Sequence, residues 1–235
     1  MMDSLYTLAV KHGADKASLG YIRHYESRFD SIRLNVTKIL EIGVETGKSH
    51  RMWLEYFPNA TVYGLDIFNE SDRSNYVREF NRLQQSCKHL DRSILFKGNQ
   101  ENEDDLRKFI DLYGSDFDII IDDGGHTMKQ QQISLKCLFN HVKPGGYYVI
   151  EDLHTCSGQW QTLYGYTVIS PGDTLTTDLL KSFSSGDGLI TETRYLSKED
   201  IIDINDKLES CVTEIGIENY KNFHWPSLIS FIKKL

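Results

Sequence analysis

The chain has 235 residues, of which 40% are hydrophobic and 26% charged, with a formal net charge of −8. That composition suits a soluble globular protein able to bury a core, and no run approaches the roughly 18 apolar residues of a membrane span. The acidic balance argues against a nucleic-acid partner, which asks for a basic face; the basic residues between Arg73 and Arg92 are interrupted by Glu79 and Asp91 and read as a solvated helix face.

No linker, repeat or low-complexity tract divides the sequence, so one domain is expected over 1–235. The opening Met1-Met2-Asp3-Ser4-Leu5 lacks the basic and apolar regions of a signal peptide. Its doubled methionine hints at a domain excised from a longer chain. Cys87, Cys137, Cys156 and Cys211 are scattered without a C-x-x-C pair. Neither a disulfide framework nor a zinc site follows, and a reducing, cytoplasmic compartment is expected.

In chain order, two helices lead at 3–12 and 22–32, separated by the turn-rich Gly13-Ala14-Asp15-Lys16. Strands at 37–42, 61–65, 93–97, 117–121 and 147–150 then alternate with helices at 49–56, 72–89, 101–113 and 128–140. The last of these helices is expected to stop at the turn Lys143-Pro144-Gly145-Gly146. Such alternation predicts an α/β fold, a doubly wound, mostly parallel sheet with helices on both faces. After 152 the rhythm breaks: 153–173 shows no clear element, a helix follows near 174–184, and strands near 211–217 and 227–233 complete a seven-stranded sheet. Those two are too close for a helical crossover and are expected to pair as an antiparallel hairpin.

The chemistry gathers at strand ends. Ile119-Ile120-Ile121 runs into Asp122-Asp123-Gly124-Gly125-His126, and Tyr147-Tyr148-Val149-Ile150 runs into Glu151-Asp152-Leu153-His154. Apolar runs without alternation suit strands buried on both faces, and the carboxyl ends of such strands line the ligand crevice. Four carboxylates and two imidazoles at one place ask for a cation, a proton transfer or both. Carboxylates without thiolates select a hard ion such as Mg²⁺, Ca²⁺ or Mn²⁺. The acid pairs could also position an acceptor without metal. His126 suits a general base, with a helix N-terminal residue that merely hydrogen-bonds the backbone as the lesser reading; His154 reads as structural or as a substrate contact.

The first strand ends in Gly43-Val44-Glu45-Thr46-Gly47, a turn whose glycines let the backbone approach a ligand, and Asp66 ends the second. A carboxylate there suits ribose hydroxyls. Glu45 stands where a dinucleotide fingerprint has its middle glycine. It would repel a pyrophosphate and welcome a cationic cofactor, which favours the sulfonium of S-adenosylmethionine over NAD.

These residues resemble the class I S-adenosylmethionine-dependent methyltransferases, a Rossmann-like family, and within them the sugar O-methyltransferases acting on macrolide and rhamnosyl substituents. The likeness rests on Leu40–Gly47, Tyr63–Ile67, Ile121–His126 and Ile150–His154, with Gly13–Lys16 and Tyr21–Glu26 resembling that family's opening segment. It covers about 11–155. The resemblance implies that Gly43, Glu45 and Gly47 meet the methionine end of the cofactor, Asp66 the ribose, and Asn99 or Gln100 the adenine. Asp122 would face the cofactor or orient its neighbours. Asp123 and Asp152 would bind Mg²⁺ with Glu151, or else Asp122, as a third contact, and His126, beside Asp123, would be the base. The acceptor implied is a deoxyhexose such as rhamnose in a glycan or glycoside, with no membrane partner. Residues 1–35 would form a helical lid, and 153–210 would build acceptor specificity. A catechol-type O-methyltransferase, an NAD-dependent reductase and a non-catalytic binding module on the same fold are the competing readings; the first usually has a lysine base where His126 stands here.

Overall fold

The computed structural model describes residues 2–68, 90–156, 173–185, 188–220 and 223–235. The helix expected at 72–89, Cys87, His89 and the aromatics Trp160, Tyr164 and Tyr166 lie outside the described residues.

Helix α1 (Leu5–His12) starts where the Ser4 hydroxyl accepts the Thr7 N–H at 3.1 Å, and stops at Gly13, whose φ of 69° leaves the right-handed region. Helix α2 (Ile22–Phe29) follows after a 3₁₀ turn at Asp15–Ala17. Strand–helix alternation then holds: β1 (Lys38–Ile42), α3 (Lys48–Tyr56), β2 (Thr61–Asp66), β3 (Ser93–Lys97), α4 (Glu103–Tyr113), β4 (Phe117–Asp122), α5 (Met128–Leu138) and β5 (Val142–Ile150). Helices α6 (Thr176–Ser185) and α7 (Lys198–Lys207) precede the hairpin β6 (Leu208–Tyr220) and β7 (Phe223–Lys234). The order across the sheet is β3-β2-β1-β4-β5-β7-β6. Strands β1 to β5 pair in parallel, and β7 runs antiparallel to both β5 and β6.

Every residue of β4 is buried, as its unbroken apolar run requires between two parallel neighbours. Side chains alternate into two cores. Leu40, Ile42, Ile120 and Tyr148 face Leu106, Phe109 and Leu135 of α4 and α5. Ile39, Ile119, Ile121 and Val149 face Tyr25, Phe29, Met52 and Trp53 of α2 and α3. In this parallel alternation the loops that leave each strand lie at the carboxyl edge, where Gly43, Asp66, Asp123 and Asp152 line one cavity.

Two expectations need correction. Lys143-Pro144-Gly145-Gly146 does not end α5 but lies inside β5, as an irregularity between the pairs Phe117–Val142 and Ile119–Tyr147. An extra loop of strand there tolerates a proline that a continuous ladder would not. Helix α7 was not anticipated, although Ser197 and Asp200 form a reciprocal capping box at its start.

Candidate active site

Five strand ends meet around one cavity of about 510 Å³, whose walls include Gly43, Glu45, Asp66, Gln100, Asp123, His126 and Asp152. The β1–α3 turn forms one wall. Gly43 has φ 85° and Gly47 φ 74°, so both occupy the left-handed region where glycine carries no Cβ penalty. A Cβ on Gly43 would also collide with the Asp123 carbonyl, so this glycine lets the end of β1 lie against the end of β4. Gly43→Ala is expected to cost more than about 2 kcal/mol, combining backbone strain with overpacking. Urea unfolding measures it, and a change within about 0.5 kcal/mol, ordinary for surface sites, would contradict the packing argument.

Asp66 organises this turn. One of its oxygens accepts the N–H groups of Val44 and Glu45 at 2.8 and 2.9 Å, and the other accepts Phe68 N–H at 2.8 Å. A carboxylate has about four acceptor positions, so it retains capacity toward the cavity. Lys48 also lines the cavity, exposed at the start of α3, with the helix N-terminus beside it.

The opposite wall is the acid and histidine cluster. One ligand atom each from Asp123, His126 and Asp152 lies within 4.8 Å of the others, the group that could hold a metal ion among the described residues. His126 Nε2 stands 3.4 Å from Asp152 Oδ2. Non-glycine residues with positive φ concentrate here: Glu45 at 49°, Phe68 at 41°, His126 at 59° and Asp152 at 53° all line the cavity, and among the described residues only Asp116 lies elsewhere. Such conformations cost of order 1–3 kcal/mol each, persist only where the surrounding structure over-determines them, and cluster at active sites and ligand clamps. Directly after His126, Thr127 and Gln130 build the capping box that starts α5, which fixes the histidine at the helix entrance.

Behind the cluster lies a residue that sequence reasoning left without a role. Lys16 is fully buried, its Nζ 2.6 Å from Asp123 Oδ2 and 2.7 Å from Glu151 Oε1. Burial opposes its charge, but Asp123 and Glu151 outweigh that and hold its pKa well above the ordinary lysine value. Glu151 is also fully buried and accepts the Tyr25 hydroxyl; burial pushes its carboxyl well up. Tyr21 donates to Asp152 Oδ1 at 2.8 Å. Burial likewise lifts Asp123 to about 7, against the pull of Lys16. Tyr21 and Tyr25 stand one helical turn apart at the start of α2, a spacing that places both on one face; the resemblance at Gly13–Lys16 gives Lys16 no partner, which only the fold supplies.

The structure redistributes several expected roles. Glu151, expected as a third ion contact, lies outside the group of three: its Oε1 holds Lys16 and Tyr25, while Oε2 is buried without a hydrogen-bond partner. Asp122 does not line the cavity: its carboxylate is buried beneath, accepting Ser134 Oγ and, at 3.0 Å, Gln100 Nε2, and burial raises its pKa. Gln100 reaches the cavity wall, yet its amide is used by Asp122 and by Gly125 N–H at 2.7 Å. Asn99 closes a local turn by accepting Glu101 N–H at 3.0 Å and is not on the wall. His154 is buried, with Nδ1 accepting Leu228 N–H at 3.3 Å, so it ties β7 to the segment after β5.

Residues 40–153 match a family described as a methyltransferase domain. The match identifies a methyltransferase domain in this stretch of the chain. Over 162 residues, 64% of its length, it is 34% identical to 8-demethyl-8-(2-methoxy-alpha-L-rhamnosyl)-tetracenomycin-C 3'-O-methyltransferase of Streptomyces olivaceus, covering 37% of that protein. Over 141 residues, 56% of its length, it is 37% identical to mycinamicin VI 2''-O-methyltransferase of Micromonospora griseorubida, covering 31% of that protein. Among solved structures, MycE methyltransferase in complex with Mg, SAH and mycinamycin VI aligns with a TM-score of 0.65 at 27% identity, covering 99% of this chain and 55% of that one. The chain thus spans about a third of the curated relatives' length and about half of the solved chain. Its seven-stranded sheet with the antiparallel hairpin is the fold the sequence predicts. Among the described residues, no helix is long and apolar enough to cross a membrane.

Proposed function

We propose that the chain transfers the methyl group of S-adenosylmethionine to a hydroxyl of a sugar, a deoxyhexose such as rhamnose borne on a glycoside or glycan. The observation that carries this reading is that one cavity joins the glycine turn and Asp66 on one wall to Asp123, His126 and Asp152 on the other. Two substrates must meet in line for displacement at carbon, and a shared cavity supplies the alignment.

The cofactor's ribose fits the remaining acceptor capacity of Asp66, its amino group fits Glu45, and its carboxylate fits Lys48 at the α3 N-terminus. As the new C–O bond forms and the C–S bond breaks, the hydroxyl proton passes to His126, leaving S-adenosylhomocysteine and a methyl ether. Asp152, 3.4 Å from Nε2, orients the ring and stabilises the imidazolium that results. The donor set fits a hard divalent ion: two carboxylates and an imidazole converge, and behind them Glu151 Oε2 is buried without a hydrogen-bond partner. Asp123 and Asp152 would hold such an ion, Mg²⁺ among the candidates, which when bound acidifies and positions a hydroxyl. Glu45 disfavours the dinucleotide pyrophosphate of a reductase.

Labelled S-adenosylmethionine, a panel of rhamnosides and macrolide glycosides, and EDTA with and without added Mg²⁺ test the proposal. Transfer to a sugar hydroxyl is expected, and EDTA is expected to suppress it. Failure to methylate any sugar sinks the acceptor class, whereas EDTA-insensitive transfer sinks only the ion.

A further inference from the structure

The turn Gly13–Lys16 serves two sites at once. Gly13, Ala14 and Asp15 line the cavity, whereas Lys16 is fully buried, absent from the cavity wall and plugged between Asp123 and Glu151. Three successive residues on the wall and the next one in the acid cluster leave little independent motion between them. The rest of the N-terminal segment repeats the pattern, since Tyr21 donates to Asp152 and Tyr25 to Glu151. Asp152, Asp123 and Glu151 therefore receive their buried donors from residues 16–25, far away in sequence.

We propose that Lys16 is a positioning residue that ties the wall of the cofactor cavity to the ion site, so that occupancy of either site strengthens the other. The proposal rests on reading the cavity as the S-adenosylmethionine pocket. Its physical basis is preorganisation. A ligand touching Gly13–Asp15 fixes the turn, the fixed turn holds the Lys16 ammonium, and the ammonium holds Asp123 at the position an ion needs. The ordering cost met by the first ligand is not charged again to the second. Such coupling is reciprocal in binding free energy. A lysine that only filled space would not need two carboxylates, and one that only neutralised Glu151 would not reach Asp123.

The test is calorimetric, with S-adenosylhomocysteine and Mn²⁺ titrated separately and together into the wild type and Lys16→Met. Wild type should bind Mn²⁺ about fivefold more tightly when S-adenosylhomocysteine is saturating, and the reverse titration should show the same factor. Lys16→Met should lose that linkage and bind Mn²⁺ about tenfold more weakly, a loss in the range found for supporting residues around metal ligands. Hydrogen exchange adds a readout that general destabilisation would not give: amides 13–17 should exchange faster in the variant while those of β4 stay protected. If Lys16→Met does not fold, Glu151→Gln releases the other end of the clamp with Lys16 in place, and the linkage should shrink. Unchanged linkage in a folded variant, or none in the wild type, overturns the role of Lys16. A wild type that binds no S-adenosylhomocysteine instead removes the cofactor reading beneath it.

Discussion

His126→Ala is expected to lower turnover by about 10²–10⁴-fold, the range for a lost general base, while S-adenosylhomocysteine affinity changes little. The asymmetry follows from the geometry. His126 stands on the acid wall, beside Asp152 at 3.4 Å, and the cofactor's candidate anchors Glu45, Lys48 and Asp66 stand on the other. Its φ of 59° and the capping box at Thr127 hold the imidazole at the entrance of α5, so the substitution removes a ring without removing a structural cap. Single-turnover rates with labelled cofactor, beside calorimetry with the product, measure both quantities. A variant retaining turnover within a few-fold would show that the proton leaves by another route. His126 is also one of three groups able to hold an ion, so Mn²⁺ titration of the variant separates the two roles. Unchanged Mn²⁺ affinity with lost turnover assigns the proton; parallel losses assign the ion.

Most of the frame was legible because each strand carries its own signal. Ile119–Ile121 and Tyr147–Ile150 are apolar without alternation and therefore central, and the short gap between the last two strands forced a hairpin. The strand-end residues were legible for the same reason, since an acid after a buried strand must emerge at the carboxyl edge. Lys16 was not. Its partners Asp123 and Glu151 lie more than a hundred positions away, and a lysine in a turn-rich segment reads as solvated until the fold buries it. Asp122 and Asp123 show the complementary limit. They are adjacent, but a strand sends successive side chains to opposite faces, so one carboxylate descends to Ser134 while its neighbour reaches the cavity. The sequence pair has no mark of which is which.

That division makes Asp123→Asn the most informative carboxylate substitution. In the wild type, burial lifts Asp123 to about 7, from an ordinary value of 3.8. A carboxyl whose folded pKa is raised contributes stability below its unfolded pKa, and that contribution is lost as pH rises through the folded value. Without a divalent ion, Asp123 therefore weakens the fold between about pH 4 and pH 7, where the unfolded chain has released the proton and the folded chain retains it. An ion needs the ionised form, so its affinity should fall as pH drops below about 7, by up to about tenfold per pH unit for the one proton displaced. Stabilisation by saturating Mg²⁺ should accordingly grow from pH 6 to pH 8 in thermal melts. Asp123→Asn has no proton to exchange and one anionic ligand fewer. Its melting temperature should respond weakly to Mg²⁺ at every pH, and its turnover should fall with it. Asparagine can still accept from Lys16, which keeps the buried ammonium hydrogen-bonded and the variant folded. A variant whose Mg²⁺ response matches the wild type across that pH range would move the ion away from Asp123, and the acids would then serve only to place the acceptor.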